Sequence, residues 1–333
     1  MDVYAGVDLG GTAVKCAIAQ RDGRILAEES IPTQSHQGPE AVLARIAQTV
    51  ARLAEAGGVR PSGLGMGIPG LVDLAAGRTR FLPNFPGHWR DVPVRDLLAP
   101  QVHCPVFLLN DVRTATLGEL TFGHGRQCDT MVFFAIGTGI GGGVVVEGKL
   151  RLGPLGAAGE LGHHTILPDG PRCGCGNRGC LEALASASAI AAEGVRLMLI
   201  GQAPKLHELT GGDAGRVTTK TMAEAARHGD TRIAEAITRA GEYLGIGVAN
   251  VVVTLHPDLV VLGGGAAAIG ELLFDAVRRT VAARVGMIPT DGIRIEPSLL
   301  GDKAGVLGAV ALAMRGYHRS DTSTVSPSGT TVS

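Results

Sequence analysis

No sign of charge dominates this chain. Lys and Arg number 30 against 31 Asp and Glu, a formal net charge of −1, and no block of like charges interrupts it. A chain so balanced lacks the basic footprint of a nucleic-acid binder and offers an anionic membrane nothing to attract. It also lacks a charged n-region followed by an apolar segment, and any run of eighteen apolar residues, so neither secretion nor membrane spanning is expected. Cys16, Cys104 and Cys128 are scattered in or beside apolar runs and read as buried reduced thiols, which points to the cytosol. Aromatic residues are scarce at 3%, whereas glycine is abundant at 50 of 333 residues, so tight turns and close backbone approaches are expected. The length suits two domains, at roughly 100–200 residues each.

The glycines cluster where strands end. Residues 3–9 form an apolar run of strand length, closed by Gly10-Gly11-Thr12, and a second run, Val14 to Ala19, follows. Asp22-Gly23 is a hairpin signal, and Ile25 to Ile31 completes a meander. Backbone N–H groups and a hydroxyl at such a turn suit phosphate oxygens, and Asp8 just before it can hold a hydrated Mg²⁺. An ordinary glycine hairpin is the plain alternative. The same grammar returns from Met131 to Ile136, through Gly137-Thr138-Gly139, to Val144–Val146 and Glu147-Gly148, as an internal duplication would produce. Two such hairpins facing each other make a cleft with a phosphate-binding turn on each wall. A third glycine turn, Gly263-Gly264-Gly265, ends the strand Leu259–Leu262 and can let the chain pass close to a nucleoside.

Three of the six cysteines and two adjacent histidines crowd into residues 160–182, with a carboxylate at each end. Cys173, Cys175 and Cys180, with His163 ten positions before the first, supply three thiolates and an imidazole, the set a tetrahedral zinc prefers. Four protein ligands leave no open position, so such a zinc is structural. It would fix Glu160, His163 and Glu182 as groups that hold the hydroxyls of a polyhydroxy ligand. Free thiols or a disulfide are the alternative reading.

Between these motifs, residues 39–56 show helical periodicity and 62–68 a strand. Residues 77–90 read as a loop in which Asn84 is a ligand contact or a turn residue. The strand 105–109 runs into Asn110-Asp111, with a helix expected over 115–120. At the carboxyl end of a strand, Asp111 is a general base or a helix N-cap, and Asn110 a cap or a ligand. Helices are expected over 183–198, 221–227, 233–253, 272–285 and 305–314. Residues 201–217 read as a polar surface excursion and 318–333 as a disordered tail.

Taken together, these motifs resemble the ROK family (repressor, open reading frame, kinase), and within it the bacterial glucokinase-like sugar kinases, over residues 3–316. The resemblance implies an α/β fold: actin-like, ribonuclease-H-like duplicated domains with an ATP cleft between them. The first domain is expected over 1–112, completed by a C-terminal helix at about 303–316, and the second, larger one over 113–302. By the family's motifs, Asp8, Gly10, Gly11 and Thr12 match the first phosphate loop with Mg²⁺, Gly137, Thr138 and Gly139 the second, and Gly263, Gly264 and Gly265 the adenosine motif. Asn110 matches the sugar-binding Asn and Asp111 the catalytic base. Glu160-Leu161-Gly162-His163 matches the E-x-G-H motif, where Glu160 and His163 touch the sugar and His163 also binds zinc with Cys173, Cys175 and Cys180. Glu182 matches a second sugar-binding Glu, and Asn84 lies near the sugar.

The reaction so implied is ATP-dependent phosphorylation of glucose at C6-OH. N-acetylglucosamine, N-acetylmannosamine, mannose and fructose are alternative acceptors, and polyphosphate is an alternative donor. Sugar and ATP are the expected partners, and a homodimer or tetramer the expected assembly. The chain departs from the family at Val112-Arg113-Thr114, where small residues usually follow Asn-Asp, and at His88, inserted before the usual Trp. Family repressors carry a helix-turn-helix ahead of the first phosphate loop. With that loop beginning at Asp8, no such domain is expected here.

Overall fold

Short apolar runs broken by glycine turns pair into two sheets. The computed structural model describes residues 2–82, 85 and 89–316. Asn84, His88 and the tail 318–333 lie outside them.

Residues 2–122, 150–158 and 303–316 make one compact unit. Its strands are β1 (Val3–Leu9), β2 (Ala13–Gln20), β3 (Ile25–Pro32), β4 (Leu64–Ile68) and, after a two-stranded ribbon β5 (Leu71–Asp73) and β6 (Arg78–Phe81), β7 (Val106–Asn110). The sheet order is β3-β2-β1-β4-β7, with β1–β3 an antiparallel meander and β4 and β7 parallel to β1. Helix α1 (Pro39–Ala56) starts on a proline at its first turn and buries Val42, Leu43, Ile46, Val50 and Leu53, the stripe expected from its periodicity. Helix α2 (Val94–Val102) precedes β7, and α3 (Asp111–Phe122) follows it without a break.

The C-terminal helix, Ala304–Arg315, belongs to this unit and is buried on nearly every face. It crosses α3 backbone to backbone: a Cβ on Gly118 would lie 2.5 Å from the Ala304 carbonyl oxygen. That crossing ties α3 to the first unit, which runs through Phe122.

The second unit, Gly123–Lys149 and Gly159–Asp302, repeats the plan. Strands β8 (Met131–Ile136), β9 (Ile140–Val146), β10 (Lys149–Leu150), β11 (Leu259–Gly263) and β12 (Arg294–Pro297) lie in the order β10-β9-β8-β11-β12. In chain rank this is the first sheet's order, third-second-first-fourth-fifth. The helices are α4 (Leu181–Ala185), α5 (Ala187–Leu199), α6 (Pro204–Thr210), α7 (Thr219–Arg227), α8 (Thr231–Leu255) and α9 (Glu271–Arg284). Ser186 splits the single helix expected over 183–198, because its hydroxyl accepts the Ala189 N–H and starts α5 anew.

Residues 201–217 are not irregular throughout. Within them α6 begins on Pro204, and its free N–H groups at Lys205 and Leu206 are met at 3.1 and 2.7 Å by the buried Asp230 carboxylate. Likewise β6 sits inside the expected loop 77–90, paired with β5. Among the described residues no helix is long and apolar enough to cross a membrane.

Candidate active site

Register places the first unit's polar groups together at one edge of its sheet. Asp8, near the end of β1, pairs with Gly67 of β4, and Ile68 pairs with Asn110 at the end of β7. The carboxyl ends of parallel strands are where α/β sheets bind ligands. Between β1 and β2 the Gly10 N–H donates to the Ala13 carbonyl at 2.9 Å and closes the first glycine turn. Gly11 and Thr12 are exposed at its tip. Behind the turn, the fully buried Thr33 braces it: its hydroxyl donates to the Gly10 carbonyl at 2.6 Å and its N–H to the Thr12 carbonyl at 2.9 Å. Arg45 in turn donates to the Thr33 carbonyl.

Asp8 is pushed up from 3.8 to about 6, first by burial and then by the negative charge of Asp111, against a smaller pull from Lys15. Its carboxylate lies against the first turn of the C-terminal helix, where a Cβ on Gly305 would come within 2.4 Å of Oδ2. Burial also raises Asp111 above the usual carboxylate range, although the Val112 N–H at 2.9 Å and the Arg113 charge oppose it.

Capping of α3 falls to Asn110. Its Oδ1 accepts the Val112 and Arg113 N–H groups at 3.1 and 3.2 Å, while its Nδ2 donates to the Gly70 carbonyl at 2.9 Å. Arg113, 3% exposed, adds a third donor to that oxygen, Nη1 at 3.0 Å.

In the second unit, Gly263 of β11 pairs with Ala135 of β8, which sets the turn Gly263–Gly265 beside the turn Gly137–Gly139. The Gly137 N–H donates to the Gly139 carbonyl at 2.9 Å. The next N–H, that of Ile140, donates to Glu182 Oε2 at 2.9 Å, so this carboxylate is tied to the glycine turn. Its Oε1 accepts the Cys173 thiol at 3.6 Å.

His163, Cys173, Cys175 and Cys180 bring their ligand atoms within 4.8 Å of one another. No disulfide joins the cysteines. Sγ of Cys175 and Cys180 are 3.7 Å apart, as are Cys173 Sγ and His163 Nδ1. Ligands about 2.0–2.3 Å from a tetrahedral zinc would stand roughly 3.5–3.8 Å apart, so the donor set fits the ion. Burial raises the thiols of Cys173 and Cys180, and the Asn177 N–H lowers that of the exposed Cys175.

The two nitrogens of His163 face different ways. Nδ1 turns to the thiols and Nε2 to Glu160, 3.9 Å from its Oε2. One imidazole can therefore serve a metal and a ligand at once. Gly162 lets this turn lie on β9, since a Cβ there would meet the Ile140 carbonyl oxygen at 1.9 Å.

Residues 4–315 match the ROK family. The chain is 38% identical over 318 residues to a glucokinase of Thermotoga maritima, covering 92% of this chain and 96% of that one. The chain belongs to the ROK family. A ROK glucokinase from Streptomyces griseus, solved in complex with glucose and AMPPNP, superposes with a TM-score of 0.82 at 33% identity, covering 94% of this chain and all of the other. A xylose repressor of Caldicellulosiruptor bescii is 30% identical over 312 residues, covering 93% of this chain and 77% of that protein. The fold is therefore the duplicated actin-like, ribonuclease-H-like α/β fold of the ROK glucokinases.

The first unit of this ROK protein brings together Asp8, the Gly10–Thr12 turn, Asn110 and Asp111. The second brings together the glycine turns at 137–139 and 263–265, Glu160, His163, Glu182 and the three cysteines. Thr33, Arg113, Gly305 and the Ile140 N–H belong to these constellations too. No local pattern marks Thr33, Gly305 or the Ile140 N–H, because each acts across elements remote in sequence, whereas Arg113 lies in the stretch where the chain departs from its family.

Proposed function

We propose that this chain is a sugar kinase that transfers the γ-phosphoryl group of ATP to a hexose, with glucose as the first candidate. The observation that carries the reading is Asp111, a carboxylate of raised basicity at a strand's carboxyl end, in a chain that matches glucokinases over nearly its whole length. Asp111 accepts the proton of the attacking hydroxyl, C6-OH by analogy, and its raised pKa brings it closer to the strength a general base needs. The Asn110 amide, which bonds Gly70 and also stabilises the neighbouring Asp111 carboxylate, meets the sugar beside that base. Glu160 and Glu182 accept from other hydroxyls, His163 adds Nε2, and Asn84 contributes a further contact. Each polar partner left unmet by a wrong epimer costs affinity, which is the source of selectivity.

The N–H groups and the Thr12 and Thr138 hydroxyls of the first two glycine turns hold phosphate oxygens, and Gly263–Gly265 lies against the nucleoside. Asp8 is the residue that would hold Mg²⁺, and the ion would supply charge neutralisation to the phosphates. His163, Cys173, Cys175 and Cys180 hold a structural zinc that fixes Glu160 and Glu182 at either end of the loop. The same family resemblance supports a cytosolic homodimer.

The test is a coupled ADP-release assay with Mg-ATP against glucose, mannose, fructose, N-acetylglucosamine and N-acetylmannosamine. Selective turnover of glucose is the expected result, and turnover of another sugar alone would keep the mechanism and change the substrate. The likeness to the xylose repressor favours one second reading, a regulator that binds sugar without phosphorylating it. Sugar binding by folded, metal-loaded protein with no turnover from ATP or polyphosphate would establish that reading instead.

A further inference from the structure

A guanidinium is seldom buried without every donor engaged, because it leaves water at high cost. Arg113 is 3% exposed in the first turn of α3, two residues from Asp111. Its fork spans two pieces of the chain. Nε donates to the Ala158 carbonyl at 3.1 Å and Nη2 to the Ala157 carbonyl at 3.1 Å, while Nη1 reaches Asn110 Oδ1 at 3.0 Å. Together with the two backbone donors of the cap, that oxygen faces three N–H groups, and the amide nitrogen faces the Gly70 carbonyl. The orientation of the Asn110 amide follows from its neighbours' chemistry: reversed, it would set an NH₂ against three donors. The Ala157–Ala158 pair held by the other arms stands just ahead of Glu160 in the chain.

We propose that Arg113 is a positioning residue of the sugar site, clamping the Asn110 amide to the Ala157–Ala158 turn so that the amide is held in one orientation, beside Asp111, where the sugar binds. The proposal rests on the sugar-kinase reading. Its role is to position, and it acts through Asn110. A lysine keeps the charge but is a single point donor, so it cannot hold two successive carbonyls and the amide oxygen together.

The experiment compares wild type, Arg113→Lys, Arg113→Gln, Asn110→Ala and the double variant Arg113→Lys/Asn110→Ala, each checked for folding by circular dichroism. Loss of a charged hydrogen bond at a fixed geometry should raise the sugar KM about tenfold or more in both Arg113 variants and leave the ATP KM within about twofold. Because Arg113 acts through Asn110, adding Arg113→Lys to Asn110→Ala should raise the sugar KM far less than the product of the single effects. A purely structural arginine would lower the melting temperature and the active fraction while leaving both KM values in place. An unchanged sugar KM in folded Arg113→Lys, or single effects that multiply, would overturn the proposal. Should Arg113→Gln fail to fold, Arg113→Lys decides alone. If wild type turns over no hexose, the kinase reading fails separately, and the same variants are compared by the calorimetric Kd for glucose, with the same expected pattern.

Discussion

Asp8 and Asp111 share an electrostatic difficulty, since both are carboxylates withdrawn from water and the charge of Asp111 adds to the strain on Asp8. In the unfolded chain Asp8 loses its proton near 3.8, and in the folded chain near 6. Between those values the folded state binds more protons than the unfolded one, so stability from this group falls as pH rises through the window. The penalty is fully present above the folded value and absent below the unfolded one. A shift of that size is on the order of 3 kcal/mol. In metal-free buffer, Asp8→Asn should therefore raise the melting temperature at pH 8, with the gain shrinking as pH is lowered toward the ordinary carboxylate range. An equal gain at both ends of the range would show that Asp8 is not strained. The same variant should lose activity, the usual exchange of stability against function.

Asp111 gives a complementary expectation. Asp111→Asn should lower kcat by about 10²–10⁴-fold while glucose binding, measured by calorimetry, stays within a few-fold. The acid limb of kcat/KM in wild type should lie above the usual carboxylate range, because the base must be ionised and its pKa is raised. Near-normal turnover in Asp111→Asn removes the role assigned to this residue.

At the scale of elements, the loop from Glu160 to Glu182 shows what sequence can and cannot carry. The convergence of His163 and its three cysteines was legible because the cysteines are close in the chain and glycine spacers announce a tight fold. The bond from Ile140 N–H to Glu182 was not, since β9 and α4 must first be assembled to make it. Asn110 was legible as cap or ligand but not as a cap whose amide is also held from its nitrogen end. That distinction needed the Gly70 carbonyl, set beside it by the β4–β7 register. Helix α6 was missed for a related reason: its N-terminal donors are met by Asp230, far along the chain, so no local capping residue marks its start.

Two measurements belong at this scale. Cys175→Ser should lower bound metal, read by elemental analysis, and lower the melting temperature; intact metal content with unchanged melting would mean the thiols do not hold a structural ion. Thr33→Val, which removes the hydroxyl donor to Gly10 but keeps the branched shape, should raise the ATP KM roughly three- to tenfold. The sugar KM should hold, and Thr33→Ser should restore the donor and the ATP KM with it.

At the scale of the whole molecule, the duplication was legible in advance from the repeated strand–glycine turn–strand grammar, and both sheets share one strand order. That the chain's last helix completes its first unit was expected from the family resemblance and not from this grammar, which carries no trace of the helix's seat. Glycines in two central strands make its seat: a Cβ on Gly6 would meet the Val306 carbonyl oxygen at 2.3 Å, and one on Gly65 the Ala309 carbonyl oxygen at 1.9 Å. On that seat Val306, Leu307, Val310 and Leu312 are buried. Burying four such side chains contributes on the order of 6–12 kcal/mol, comparable with the roughly 5–15 kcal/mol that stabilises a whole domain. A chain ending at Asp302 should therefore lose hydrogen-exchange protection throughout β1, β2 and β4, although every residue of those strands is present. Gly65→Ala tests the seat more gently. Its methyl must displace the helix backbone, so the variant should stay folded but lose on the order of 1–3 kcal/mol, read from the denaturant midpoint at unchanged m-value. Full protection of β1 in the shortened chain would show that the sheet holds without its last helix, and an unchanged midpoint in Gly65→Ala would show that the helix rides clear of β4.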